Sequence, residues 1–269
     1  MVNTSGIALD WMRKPPIEGL VAIVVGGGSG IGEATAQMLA ANGAKVVVAD
    51  RRQEMAESVA RQIGEGAVAC RMDVADQSDI DATIAETVAA HGGIDILVNS
   101  AGVISPAALT DCSLEDWRTS FLVNVEGALL LARSCLPHLQ QSKAASIVNV
   151  ASLAGGRAYP NGGAYGPSKA ALISLTRQMA LEWADFGVRV NVVSPGTFDT
   201  PLTQANMRPE VQRARAEKIP LRRLGVANEM ATIISFLASP AASFITAQEI
   251  LCDGGLSQSL MSQRFHANK

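Results

Sequence analysis

The chain alternates. Seven short runs rich in β-branched residues punctuate it: "LVAIVV" (20–25), "KVVVAD" (45–50), "AVACRMD" (67–73), "IDILVNS" (94–100), "SIVNVAS" (146–152), "VRVNVVS" (188–194) and "QEILCDG" (248–254). Each of the first six is followed by a helix-compatible stretch. Runs apolar on both faces and separated by helices bury that surface in a parallel sheet covered on both sides. The pattern therefore predicts an α/β fold: a doubly wound parallel seven-stranded sheet with helices on both faces. No linker, repeat or low-complexity tract divides it, so a single domain is expected at residues 19–256 of the 269. Residues 1–18 read as an N-terminal extension and 257–269 as a C-terminal tail.

In the first helix Ile31, Ala34, Met38 and Ala41 recur at helical spacing, and Gly43 stops it. Two later stretches, 121–136 and 170–183, are apolar around most of their circumference, so each is buried on more than one side. One side meets the sheet and the other a second copy of the chain. A charged fraction of 17%, against roughly 25% in ordinary soluble domains, points the same way. A homo-oligomer, dimer or tetramer, is expected.

Several functions are disfavoured. A formal charge of −3 offers no basic footprint for nucleic acid or anionic membrane. No continuous apolar run approaches the ~18 residues of a membrane span, and the N-terminal segment lacks a secretory apolar core. Cys70, Cys112, Cys135 and Cys252 form no C-x-x-C pair, and His91, His138 and His266 are scattered. No metal is expected, and a reducing cytoplasm suits the free thiols.

"VVGGGSGIG" (24–32) follows the first strand and opens the first helix. Glycines there permit a tight turn and bring backbone N–H groups to a pyrophosphate, at a helix N-terminus that favours anions. Asp50 ends the second strand roughly 20 residues on, where a carboxylate accepts hydrogen bonds from the adenosine ribose. It also repels a 2′-phosphate, and Ser29 in the turn leaves that phosphate without a basic clamp. NAD is therefore expected over NADP, although Arg51 or Arg52 could swing toward a phosphate. Asp73, ending the third strand, either touches the adenine or fixes its own turn.

"GAYGPSK" (163–169) places Tyr165 and Lys169 four apart at the start of a helix, since Pro167 is tolerated only in a first turn. A phenol with pKa about 10 is a poor base at neutral pH. An ammonium ~4 Å away at an effective dielectric near 20 is worth about 4 kcal/mol, or roughly 3 pKa units toward the phenolate. On this reading Lys169 makes Tyr165 acidic. Ser152 closes the fifth strand on the ligand-binding edge of the sheet, where its hydroxyl can stabilise a developing oxyanion. Asn124, an amide in an apolar helix, must find partners.

Together "GGGSGIG", "NSAG" (99–102), Asn124, Ser152, "YGPSK" and "SPGTFDT" (194–200) resemble, in order and spacing, the short-chain dehydrogenase/reductase family over about residues 20–255. The resemblance implies a Rossmann fold and hydride transfer between NAD(H) and a small secondary alcohol or ketone. It makes Tyr165 the acid/base, Ser152 the oxygen-binding donor, Lys169 also the holder of the nicotinamide ribose, and Asn124 the support of a water relay. It implies cofactor contacts from Gly26, Ser29, Gly30, Ile31 and Gly32 at the turn, and from Asp50, Arg51, Asp73 and Val74 around the adenosine. Asn99, Ala101 and Gly102, Tyr165 and Lys169, then Pro195, Gly196, Phe198 and Thr200 complete the implied set. Residues 201–220 then read as a substrate lid whose charges, Arg215 among them, form a solvated face. Val103, Ile104, Leu153, Tyr159 and Phe198 are expected around the substrate. The chain departs from the family at Val25, Ser100 and Ala247, the last in place of a common glycine. Two other readings stay open: an NADP-dependent 3-oxoacyl-thioester reductase, and a scaffold that senses the dinucleotide without chemistry.

Overall fold

The structure, a computed structural model, describes residues 16–259. In chain order its strands are β1 (Val21–Val25), β2 (Lys45–Asp50), β3 (Val68–Arg71), β4 (Ile96–Asn99), β5 (Ser146–Val150), β6 (Arg189–Pro195), β7 (Phe198–Asp199), β8 (Gly225–Val226) and β9 (Glu249–Cys252). All but β7 and β8 join one seven-stranded parallel sheet, in the order β3-β2-β1-β4-β5-β6-β9. The expected doubly wound sheet is what forms. β1 pairs with β2 (Val21 opposite Lys45) and with β4 (Ala22 opposite Ile96), so the chain leaves the centre first one way and then the other. The crevice at that reversal is where such sheets bind ligands.

Both faces are packed, and β1 shows how. Ala22 and Val24 point into a cluster with Leu39 of α1 (Gly30–Ala41), Val59 of α2 (Gln53–Ile63) and Ile234 of α9 (Ala227–Ala238). Ile23 and Val25 point the other way, to Ile84 of α3 (Gln77–His91), Leu131 of α5 (Gly127–Leu139) and Met179 of α6 (Tyr165–Glu182). Each such large side chain withdrawn from water contributes about 1.5–3 kcal/mol. Ile17, assigned from the sequence to the extension, is fully buried in the first cluster, so the packed domain begins before residue 19. Residues 1–15 of the extension and 260–269 of the tail lie outside the described residues.

The stretch 121–136 is not one regular helix. α4 (Leu114–Phe121) ends in a π turn, Leu122–Glu126, before α5 resumes. An extra residue in the helical ladder there rotates Asn124 inward, a distortion frequent at functional sites. The run Leu114–Leu139 is long and apolar enough to cross a membrane by length and composition. Its face carrying Leu131, Cys135 and Leu139 is nevertheless committed to the sheet. The expected lid folds as α7 (Pro201–Asn206) and α8 (Pro209–Lys218), neither with a buried residue, pinned at its end by buried Ile219. The two-residue strands β7 and β8 pair with each other and tie the flanks of this segment together.

Candidate active site

A cleft of about 550 Å³ opens above the carboxyl ends of β1, β2, β4, β5 and β6. Its volume is that of a small-molecule site. Of the sequence-assigned residues it is lined by Gly26, Ser29, Gly30, Ile31, Asp50, Arg51, Asp73, Val74, Ala101, Gly102, Ser152, Tyr165, Lys169, Pro195, Gly196, Phe198 and Thr200. Gly32, Asn99 and Asn124 stand behind the wall.

The dinucleotide end is built from backbone. Gly26 has φ +71°, and a Cβ there would meet the 100–101 backbone at 2.8 Å. A Cβ on Gly32 would stand 2.0 Å from the Gly26 carbonyl oxygen, so only glycine lets α1 start against the turn. Ser29, the N-cap of α1, makes no side-chain cap bond, which leaves the first-turn N–H groups open to an anion. Asp50 accepts from Gly28 N–H at 3.1 Å and from Arg52 N–H at 3.0 Å, which fixes its carboxylate at the cleft wall. Arg52 Nε also lies 3.7 Å from that carboxylate, so this cation is already engaged. Arg51 lines the cleft with no ion pair among the described residues. These features fit a nicotinamide dinucleotide: a glycine turn for the pyrophosphate and an acidic ribose contact.

Asp73 serves its own turn, its Oδ1 accepting from Ala75 N–H at 3.0 Å, while still lining the cleft. Asn99 likewise accepts from Ala101 N–H at 3.3 Å and positions the loop rather than facing the cleft. Thr200 caps α7, accepting from Thr203 N–H at 3.3 Å, and Phe198 packs its ring over Gly225.

At the other end side chains dominate. Ser152 lies two residues beyond β5 rather than within it, as the N-cap of a 3-10 turn, Leu153–Gly155. Its Oγ accepts from Ala154 N–H at 3.1 Å, and it lines the cleft beside the Tyr165 phenol. Tyr165 is the first residue of α6, and Pro167 falls in that first turn as its lack of an N–H requires. Lys169 is 3% exposed and donates to the Val150 carbonyl at 2.9 Å.

The expected acidification of Tyr165 by Lys169 does not hold in the free protein. The lysine Nζ sits 5.9 Å from the phenol ring centroid, and its hydrogen bond goes to the Val150 carbonyl of β5. Burial pushes the phenol above its ordinary value; the Ser152 hydrogen bond pulls it down and Tyr159 pushes it further up. Burial also draws the Lys169 ammonium down to about 8. Two groups expected to charge each other are both biased toward neutrality, because desolvation penalises each charged form.

Asn124 is fully used. Its Oδ1 accepts from Val103 N–H at 2.9 Å, and its Nδ2 donates to Val103 O and Ser168 Oγ, each at 3.0 Å. The amide thus ties the loop after β4 to α6 and holds Tyr165 and Lys169 against the cleft. Of the expected substrate-side residues, Val103 and Phe198 line the cleft, whereas Ile104, Leu153 and Tyr159 do not. Met72, Val123 and Ala151 also line it, and the sequence reading misses all three. Ala151 is recoverable, as the neighbour of Ser152 at a strand end; Val123 depends on the π turn, which leaves no trace in a hydrophobic pattern.

The comparisons agree with this geometry. Residues 25–257 match the family described as enoyl-(acyl carrier protein) reductase. The chain is 39% identical over 246 residues to a 2,5-dichloro-2,5-cyclohexadiene-1,4-diol dehydrogenase of Sphingobium indicum, covering 90% of this chain and 97% of that one. It is 38% identical over 239 residues to a cis-4-hydroxycyclohexanecarboxylate dehydrogenase of Sinomonas cyclohexanicum, covering 87% and 95%. A short-chain type dehydrogenase/reductase from Mycobacterium marinum superposes with a TM-score of 0.86 at 33% identity, over 90% of this chain and 97% of that one. With the glycine turn, the Ser152–Tyr165 pair and Lys169 gathered in one cleft, the chain belongs to the short-chain dehydrogenase/reductase family, oxidoreductases that interconvert CH–OH and C=O groups with a nicotinamide cofactor.

Proposed function

We propose that this chain is an NAD-preferring dehydrogenase of a small secondary alcohol, or reductase of its ketone, with Tyr165 as general acid/base. The observation that carries the reading is that Ser152, Tyr165 and Lys169 line the same cleft as the glycine turn and Asp50. When bound, the dinucleotide supplies the hydride acceptor or donor. Tyr165 takes the alcohol's hydroxyl proton as the C–H bond gives up its hydride, or returns a proton to the carbonyl oxygen in the reverse direction. Ser152 turns its hydroxyl to the substrate oxygen and steadies the charge that develops there. Lys169, anchored on Val150 O, holds the nicotinamide ribose and keeps a cation below the phenol. Asn124 keeps the supporting loop and α6 in register.

Asp50 supports NAD, since a 2′-phosphate would face a fixed carboxylate. Arg51 at the same wall favours the second reading, an NADP-dependent thioester reductase. Initial rates with NAD⁺ and NADP⁺ over a panel of secondary alcohols and diols separate the two. We expect NAD⁺ to lead by at least about tenfold, and Asp50→Ser to narrow that ratio. Equal rates, or an unchanged ratio in the variant, would rule out the ribose role of Asp50. Tight NAD⁺ binding without turnover of any alcohol would favour the sensing scaffold.

We further propose a homo-oligomer in a reducing compartment. Leu122 beside α4 and Leu181 on α6 stay 37% and 73% exposed on the two helices expected to meet a second copy. Sedimentation of the purified chain reads the assembly directly.

A further inference from the structure

Helix α8 carries an arginine that is not the solvated charge its sequence suggests. Arg215 is half-buried, its Cζ standing 5.5 Å from the Tyr159 ring centroid. Its Nη2 donates to the Tyr159 hydroxyl at 3.5 Å, the outer limit of a hydrogen bond. Tyr159 in turn lies edge-on to Tyr165, with centroids 6.3 Å apart and planes at 64°. Among the described residues Arg215 has no carboxylate partner. Glu210 on the same helix faces Arg213, at 3.9 Å. A guanidinium presents five N–H donors in a planar fork, and here a single long bond uses one of them. Holding that cation partly out of water without a counter-ion costs free energy, which an anionic ligand would offset. A fork left open beside an aromatic plane suits bidentate capture of a carboxylate.

We propose that Arg215, braced by Tyr159, anchors a carboxylate of the substrate. The compound turned over at Tyr165 is then a hydroxy- or oxo-acid whose carboxylate is held away from the reacting carbon by a small apolar spacer. Arg215 and Tyr159 stand outside the lining of the cleft, and the Tyr159 ring, which meets both Arg215 and the Tyr165 ring, gives apolar surface for that spacer. The proposal rests on the hydride-transfer reading and narrows its substrate class. A neutral analogue leaves the guanidinium without a partner, and a site built around a polar group rejects the analogue lacking it.

The test compares 3-hydroxycyclohexanecarboxylate with its primary carboxamide in the wild type, Arg215→Met and Arg215→Lys. The wild type should favour the acid. Arg215→Met should raise KM for the acid about 30-fold with kcat within about threefold, and leave the amide unchanged. Arg215→Lys should recover part of the loss. Equal kcat/KM for acid and amide in the wild type overturns the proposal. So does an equal loss on both substrates in Arg215→Met, which is what a residue that only latches α8 onto Tyr159 would give. Calorimetric binding of cyclohexanecarboxylate against cyclohexanecarboxamide provides a readout that needs no turnover. Arg215-dependent carboxylate binding without oxidation of any alcohol would sink the reaction and keep the anchor; turnover with no carboxylate preference would do the reverse.

Discussion

At the dinucleotide end of the cleft the shape is made by main chain: a left-handed Gly26, a Gly32 pressed against it, open N–H groups at the start of α1, and Asp50 held by two backbone donors. At the catalytic end it is made by side chains borrowed from separate elements. Ser152 comes from a turn after β5, Tyr165 and Lys169 from α6, and Asn124 from the π turn that knits them. At the first end the charged group is already paired, and only the N–H groups of α1 are left for an anion. The second holds uncompensated desolvation, a buried ammonium and a buried phenol each pushed toward its neutral form. Functional sites commonly keep such a penalty because relieving it would remove the chemistry.

The contrast makes opposite mutational patterns. Tyr165→Phe removes one hydroxyl from the catalytic end, and kcat should fall by roughly 10³ or more while the NAD⁺ Kd stays within about threefold. Stopped-flow and equilibrium binding check the split; a matching loss of affinity would mean the two ends are not separable. Gly32→Ala acts on the other wall, driving a Cβ into the Gly26 carbonyl. Dinucleotide affinity should drop by about 100-fold as the turn moves away from its phosphate geometry. A Gly32→Ala variant with normal Kd would show that the turn has slack.

Lys169→Met sharpens the idea of uncompensated desolvation. The folded ammonium titrates at about 8, below the ordinary lysine value of 10.5. Below about pH 8 the lysine is charged in both states, so the burial cost on folding is fully present; it fades as pH rises toward the unfolded value. The variant should therefore be more stable than the wild type at pH 7, by about 2 kcal/mol in urea denaturation. That advantage should vanish above about pH 10. It should also be catalytically impaired, and a destabilised variant at neutral pH would contradict the account. The smallest expected effect lies away from the cleft. Ala247 holds φ +61°, a conformation costly for any residue with a Cβ. Ala247→Gly should gain about 0.5–1 kcal/mol with kcat unchanged, read by thermal melts and steady-state rates.

The two ends also differ in how far the sequence discloses them. Strands buried on both faces must be continuous apolar runs, so the sheet, its class and the glycine turn are legible, as is Asp50 at a strand end. Local chemistry forces those choices. The residues proposed as catalytic are reached through family resemblance and helical spacing, but their electrostatics are not legible. Spacing puts Tyr165 and Lys169 on one face, whereas the direction of the lysine depends on a carbonyl of β5 distant in sequence. The π turn is hidden because one extra residue barely perturbs an apolar pattern. Arg215 reads as solvated because its partner, Tyr159, lies 56 positions away in a loop before α6.

The central claim is that Tyr165 keeps its proton in the free protein and yields it only when the cleft is filled. The chain has two tyrosines, so ¹³Cζ-labelled tyrosine gives two resonances, assigned with Tyr165→Phe. Titrated by NMR, the Tyr165 signal should ionise above the ordinary tyrosine value in the free protein and shift toward neutrality with saturating NAD⁺. A phenol already ionising near neutral pH without NAD⁺, or one that NAD⁺ leaves unmoved, would contradict the account.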